Sequence, residues 1–171
     1  MNAVDFYIRE GQVVKDNTVK PLAQKYLKKA KNNLITMSLL YDLNKNKRVR
    51  EILNIPKEYD SDEWVVICGY YAMYSSALAL LAKIGYRSKN HTATILLIEE
   101  FFVKKRIISQ EEISLLNKAL LQKTELEKLF DARHKREIAQ YSVTKQTTKE
   151  IAEGIKKDAY SFINKVESLI Q

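Results

Sequence analysis

Apolar residues return at spacings of three and four along most of this chain, the period of helices that bury one face. Ala23, Tyr26, Leu27, Ala30, Leu34, Met37 and Tyr41 share one such face, with Lys25, Lys28, Lys29 and Asn32 opposite. Thr18 stands where it can cap this helix, with Pro21 in the first turn. Residues 42–61 are polar and contain Pro56, which predicts a long connection with one short helix around Val49 to Leu53. Asp60 with Glu63 has the form of a capping box before the next helix. Gly85 is placed to end that helix in a left-handed conformation, and Tyr86 to Asn90 reads as a turn. A further helix opens near His91 with Ile95, Leu97, Ile98, Phe101 and Phe102 as its apolar face, closed by Lys104, Lys105 and Arg106. Ser109-Gln110-Glu111-Glu112 is a second capping box, opening a pattern that runs to about Tyr141. Thr147 with Glu150 then caps a last helix, in which Ile151, Ile155, Ala159, Phe162, Val166 and Ile170 form the buried stripe.

Trp64 to Ala82 breaks this alternation: nineteen consecutive residues carry no charge. An α-helix of that length crosses most of a bilayer's hydrocarbon core. Against a membrane span stand Gly69, Ser75, Ser76, three tyrosines (Tyr70, Tyr71 and Tyr74) and the amphipathic character of every other helix. The expectation is the buried central helix of a bundle, with no membrane partner. Ala72, Ser76, Ala79 and Ala82 would let neighbouring helices approach it closely.

Composition agrees with helices throughout. Four glycines and two prolines in 171 residues disfavour a turn-rich β architecture, and 46% hydrophobic residues suffice for one core. The fold class expected is all-α, an up-down bundle of about five helices in a single domain over 1–171, its core at about 18–170. The chain carries 29 basic and 21 acidic residues, for a net charge of +8. That excess permits attraction to polyanions, yet no block forms a basic arm, and lysines solvating helix surfaces are the favoured account of it. A single cysteine, Cys68, excludes an internal disulfide and suits a reducing interior. Residues 1–10 include Asp5, Arg9 and Glu10 and lack the apolar run of a signal peptide, so a cytoplasmic location is expected.

Candidate chemistry gathers in Arg133-His134-Lys135-Arg136-Glu137-Ile138-Ala139-Gln140-Tyr141. Arg133, Arg136 and Gln140 fall on one helical stripe with Leu126 and Leu129. Guanidinium groups beside an apolar face need a partner, which is a carboxylate, a phosphate or a second copy of the helix. Glu125, Asp131 and Glu137 are the carboxylates in reach along the chain. Elsewhere the chemistry is sparse. Cys68 sits inside the apolar helix, where burial weakens it as a nucleophile. His91 and His134 have no partner at metal-ligand spacing, so no metal and no cofactor are expected. The glycines are isolated and build no phosphate cradle. Tyr70, Tyr71 and Tyr74 can stack a base, or pack in the core with their hydroxyls reaching a polar groove.

The block from Gly69 to Gly85, with Tyr70-Tyr71-Ala72-Met73-Tyr74 at its head, His91 opening the next helix and Arg136-x-x-x-Gln140-Tyr141 downstream, resembles the HEPN domain family over about Pro21 to Ile170. The resemblance implies a helical bundle that works as a homodimer, its motif helices lining a shared basic cleft. It also implies metal-independent ribonuclease activity in intact members, many of them toxins paired with a minimal nucleotidyltransferase. The family motif ends in a histidine, and here either register, from Arg133 or from Arg136, ends in Gln140. An amide cannot exchange the protons that RNA cleavage requires, whereas arginine still binds phosphate. Binding of RNA, a nucleotide or a nucleotidyltransferase is therefore expected through Arg133, Arg136, Gln140, Tyr141, His91, Tyr70 and Tyr74. The alternative is a ribonuclease that uses His134, His91 or Tyr141 as an unorthodox base, with Arg136 for phosphate.

Overall fold

A computed structural model describes residues 3–133 and 141–170, with side chains described over 4–127 and 148–170. The expected all-α bundle is found. Its elements are α1 (Ala3–Arg9), β1 (Val13–Lys15), α2 (Leu22–Lys45), α3 (Lys47–Ile52), α4 (Asp62–Lys83), β2 (Tyr86–Ser88), α5 (His91–Ile98), α6 (Gln110–Arg133) and α7 (Tyr141–Ile170). A 3-10 turn over Asn17–Val19 precedes α2, and a π-helical turn over Glu99–Val103 extends α5.

α4 is the centre of the bundle. Among the described residues it is long and apolar enough to cross a membrane, and 72% of its most apolar stretch is buried by the rest of the chain. This is the burial of a core helix. Val65, Ala72, Ala79 and Ala82 are fully buried, and their small side chains bring α2 against α4 along most of its length. Gly69 marks the tightest crossing, where a Cβ would lie 3.0 Å from both Ile155 Cγ1 of α7 and Met37 Sδ of α2. The last helix buries Ile155, Ala159, Phe162, Val166 and Ile170, as its periodicity predicts, but at its head Ala152 is buried and the expected Ile151 only half-buried.

α2 and α7 run antiparallel, and their polar edges keep a common register. Lys31 bonds Glu167, Ser38 Oγ lies 2.7 Å from Tyr160 Oη, and Lys45 Nζ lies 2.9 Å from Glu153 Oε1. Each step of seven along α2 is matched by a step of seven back along α7. Exposed ion pairs add little stability, so the ladder fixes alignment more than it holds the helices together.

Several expectations are corrected. Tyr86 to Asn90 is not only a turn, because Tyr86–Ser88 pairs antiparallel with Val13–Lys15, matching Val13 to Ser88 and Lys15 to Tyr86. Two three-residue strands so far apart in sequence leave no alternation to read. Thr18 does not cap α2. Asp16 instead accepts hydrogen bonds from the Thr18 amide (2.8 Å) and hydroxyl (2.7 Å), closing the 3-10 turn, and α2 starts after Pro21. Asp60 takes the Asp62 amide at 2.9 Å, an Asx-type contact at the start of α4. Thr147 lies inside α7, which is already helical at Tyr141, and the buried stripe reaches back to Thr148. The second box is as expected: Glu112 N–H donates to Ser109 Oγ at 3.1 Å, and Ser109 N–H to Glu112 Oε2 at 2.8 Å. Gly85 adopts φ +78° one residue past the α4 C-cap, as expected.

Candidate functional site

The short ribbon has a purpose in the geometry around His91. Beyond β1, the Gln12 carbonyl accepts the Lys89 amide at 2.9 Å, and the Gln12 side chain accepts from Asn90 Nδ2 at 3.0 Å. Asn90 in turn caps α5 through the Ala93 amide at 2.8 Å. The ribbon and this cap together aim the first residue of α5, His91, at α4.

There His91 Nδ1 and Tyr70 Oη form a short hydrogen bond. The imidazole also lies against Tyr74, with centroids 4.3 Å apart and planes at 49°, while Tyr70 and Tyr74 stack at 5.9 Å. Tyr70 and Tyr74 are one helical turn apart on α4, so their rings share a face and receive His91 between them. Below the pair Thr94 is buried, its Oγ1 2.9 Å from the Asn90 carbonyl oxygen, 3.0 Å from Ser88 Oγ and 3.4 Å from Tyr74 Oη. From α6, Lys123 Nζ approaches the Tyr70 and Tyr71 rings at 5.6 and 5.7 Å and pairs with Glu127 at 2.7 Å.

These surroundings set the protonation states. Burial, reinforced by the neighbouring phenols and Glu127, pushes the Tyr70 hydroxyl well above its ordinary range. Burial also raises Tyr74. Burial first, and the Lys123 charge second, lowers the His91 imidazolium below its usual value. At neutral pH His91 is thus neutral and Tyr70 protonated, so Tyr70 donates and Nδ1 accepts, which leaves the ring proton on Nε2. The Cys68 thiol is pushed up by burial and makes no poised nucleophile. The cluster can hold an aromatic or anionic group at its edge, and its one imidazole is already engaged.

Of the residues singled out in the sequence, Tyr70, Tyr74 and His91 come together. Arg133 is the last residue of α6 and Tyr141 the first of α7, and their side chains lie outside the described residues. His134, Arg136 and Gln140 lie outside the described residues altogether. Lys123 was not foreseen, since its pairing with Glu127 four residues on reads as an ordinary surface pair. Gln122 beside it has a buried Oε1 with no hydrogen-bond partner among the described residues, another feature that no sequence pattern signals.

A UPF0332 protein of Archaeoglobus fulgidus is 30% identical over 131 residues, spanning 75% of this chain and 94% of that relative. The chain belongs to the UPF0332 family. No family model matches it. Within this UPF0332 chain Lys123, which reaches the aromatic–imidazole cluster, and Arg133, which opens the arginine-containing stretch, stand on one continuous helix, ten positions or about 15 Å apart.

Proposed function

We propose that this UPF0332 chain is a HEPN-type helical module that acts as a cytoplasmic homodimer and binds RNA or a nucleotide anion. In this reading it works beside a minimal nucleotidyltransferase in a toxin–antitoxin-type pair, and its nuclease motif is degenerate. Arg133 and Arg136 bind phosphate, Gln140 and Tyr141 complete the motif stretch, and Tyr70, Tyr74 and His91 form its aromatic flank.

The observation that carries this reading is the engagement of His91. Its Nδ1 takes the Tyr70 hydroxyl, its ring lies on Tyr74, and burial, with the Lys123 charge second, lowers its pKa and so favours the neutral ring. Such a group orders a site better than it relays protons. With glutamine at position 140 in the motif, binding is favoured over cleavage. The all-α bundle with α4 at its centre and His91 opening α5 supports the HEPN resemblance.

Incubation of the purified chain with mixed RNA in EDTA is the direct test. Binding that weakens with salt and with Arg136→Ala, without cleavage, is expected. Robust cleavage abolished by Arg136→Ala would overturn it in favour of a ribonuclease toxin drawing its base from His134, His91 or Tyr141. In that case growth arrest on expression would disappear in His134→Ala or His91→Ala.

A further inference from the structure

Residues 3–15 make their main contacts with α5 and β2 rather than with α2, α4 or α7. Two side chains anchor them: Val4 and Val13 are buried, whereas Phe6, Ile8 and Val14 are exposed. Gly11, at φ +65°, turns α1 back onto β1. The other ties are hydrogen bonds to one short connection. Asp16 N–H donates to the Gly85 carbonyl at 2.8 Å, Lys89 N–H to the Gln12 carbonyl at 2.9 Å and Asn90 Nδ2 to Gln12 Oε1 at 3.0 Å, beside the three-residue pairing of β1 with β2. All of them fall on residues 85–90, the link from α4 to α5, and that link ends at His91. On its other side the half-buried imidazole meets the Tyr70 hydroxyl, the Tyr74 ring and, as its charged neighbour, Lys123, which Glu127 pairs.

We propose that residues 3–15 are a strap that gates His91: docked, they hold the imidazole on Tyr70, and undocked, they let the first turn of α5 fray and set it free. A segment held by two buried valines and a three-residue ribbon opens at lower cost than a core helix, so it comes away while α2, α4 and α7 stay packed. Undocking takes the Gln12 acceptors from Lys89 and Asn90, and with them the support of the Asn90 cap on the Ala93 amide. A freed imidazole regains water and its ordinary affinity for a proton. The strap thus decides whether His91 orders the site or exchanges protons there. The device rests on the engaged His91 of the reading above and adds its regulation.

NMR of the full chain follows amide exchange and the titration of His91, whose signal His91→Asn identifies. In the parent the Asp16, Lys89 and Ala93 amides should exchange together, at least about ten-fold faster than the core amides of α4. Exchange of all three only by global unfolding would overturn the strap. Gln12→Ala removes the bond to Asn90 and should speed the Lys89 and Ala93 amides about five-fold. Unchanged rates would break the proposed link from strap to α5. Val13→Asp sets a carboxylate at a buried position and should undock the strap, raising the His91 pKa to about 6.5 while far-UV circular dichroism keeps the helix of the bundle. An unmoved His91 pKa in that folded variant would show that Tyr70 holds the imidazole unaided. Loss of all helix would show that residues 3–15 unfold only with the bundle, and either result sinks the gate. These readouts follow the imidazole and the amides, so RNA cleavage by the parent would overturn the function proposed above without moving them.

Discussion

Tyr70→Phe removes one oxygen from the core and tests whether the hydrogen bond to His91 organises the site. Tyr70 is 1% exposed, and its ring packs identically as phenylalanine, so the change deletes the bond without opening a cavity. A net hydrogen bond contributes about 0.5–1.5 kcal/mol, and stranding the half-buried Nδ1 acceptor adds to the loss. The expected cost is about 1–2 kcal/mol, or roughly 3–6 °C in Tm for a chain of this size. His91→Ala should cost a similar amount through the same bond and the Tyr74 contact. If the two side chains act as a pair, the double variant loses about 1 kcal/mol less than the two single losses combined. Urea unfolding followed by far-UV circular dichroism, well above the titration of His91, measures all three. A second readout is specific to the bond: losing a donor to the neutral ring should move the His91 pKa upward in an NMR titration. Strict additivity together with an unmoved His91 pKa would refute the pairing and with it the idea that Tyr70 holds His91 in place.

Further outcomes follow from other contacts. Because the folded state holds His91 below its ordinary pKa of about 6.5, the unfolded chain protonates first as the pH falls. The stability that neutral His91 contributes is therefore present above about 6.5 and lost below it. The drop between about pH 7 and 5 should be shallower in His91→Asn than in the parent, and equal slopes in urea unfolding would contradict this. Gly85→Ala puts a Cβ at φ +78° and 2.5 Å from Asn17 Oδ1, and should cost about 1–2 kcal/mol in urea unfolding, whereas a neutral result would count against the left-handed cap. Gly69→Ala gains about 1 kcal/mol of helix propensity but must displace Ile155 and Met37, at about 1–3 kcal/mol. A net loss in thermal melts is expected, and a more stable variant would mean that α2, α4 and α7 are less tightly packed there. Ser109→Ala deletes the acceptor of the Glu112 amide and should lower stability by about 1 kcal/mol, and an unchanged midpoint would show the box to be idle.

Much of this protein is legible along the chain because helices are governed by local spacing. The buried faces of α2, α4 and α7, the Gly85 terminus and the Ser109–Glu112 box all depend on residues within a turn or two of one another. Tyr70, Tyr74 and the helix-opening His91 were also readable, since one turn of helix aligns the first two. What the chain could not announce are contacts between distant segments. The β1–β2 ribbon, the seven-residue ladder between α2 and α7, and Lys123 over Tyr70 and Tyr71 each join residues separated by more than fifty positions or by whole helices. Nothing in a local period encodes them, because they arise only when packing α4 at the centre fixes which helix edges meet. Sequence by itself thus determined the helices and which face of each is apolar. Tertiary structure decided which of these faces meet, because packing α2, α5, α6 and α7 around α4 brings together helix edges that no periodicity distinguishes.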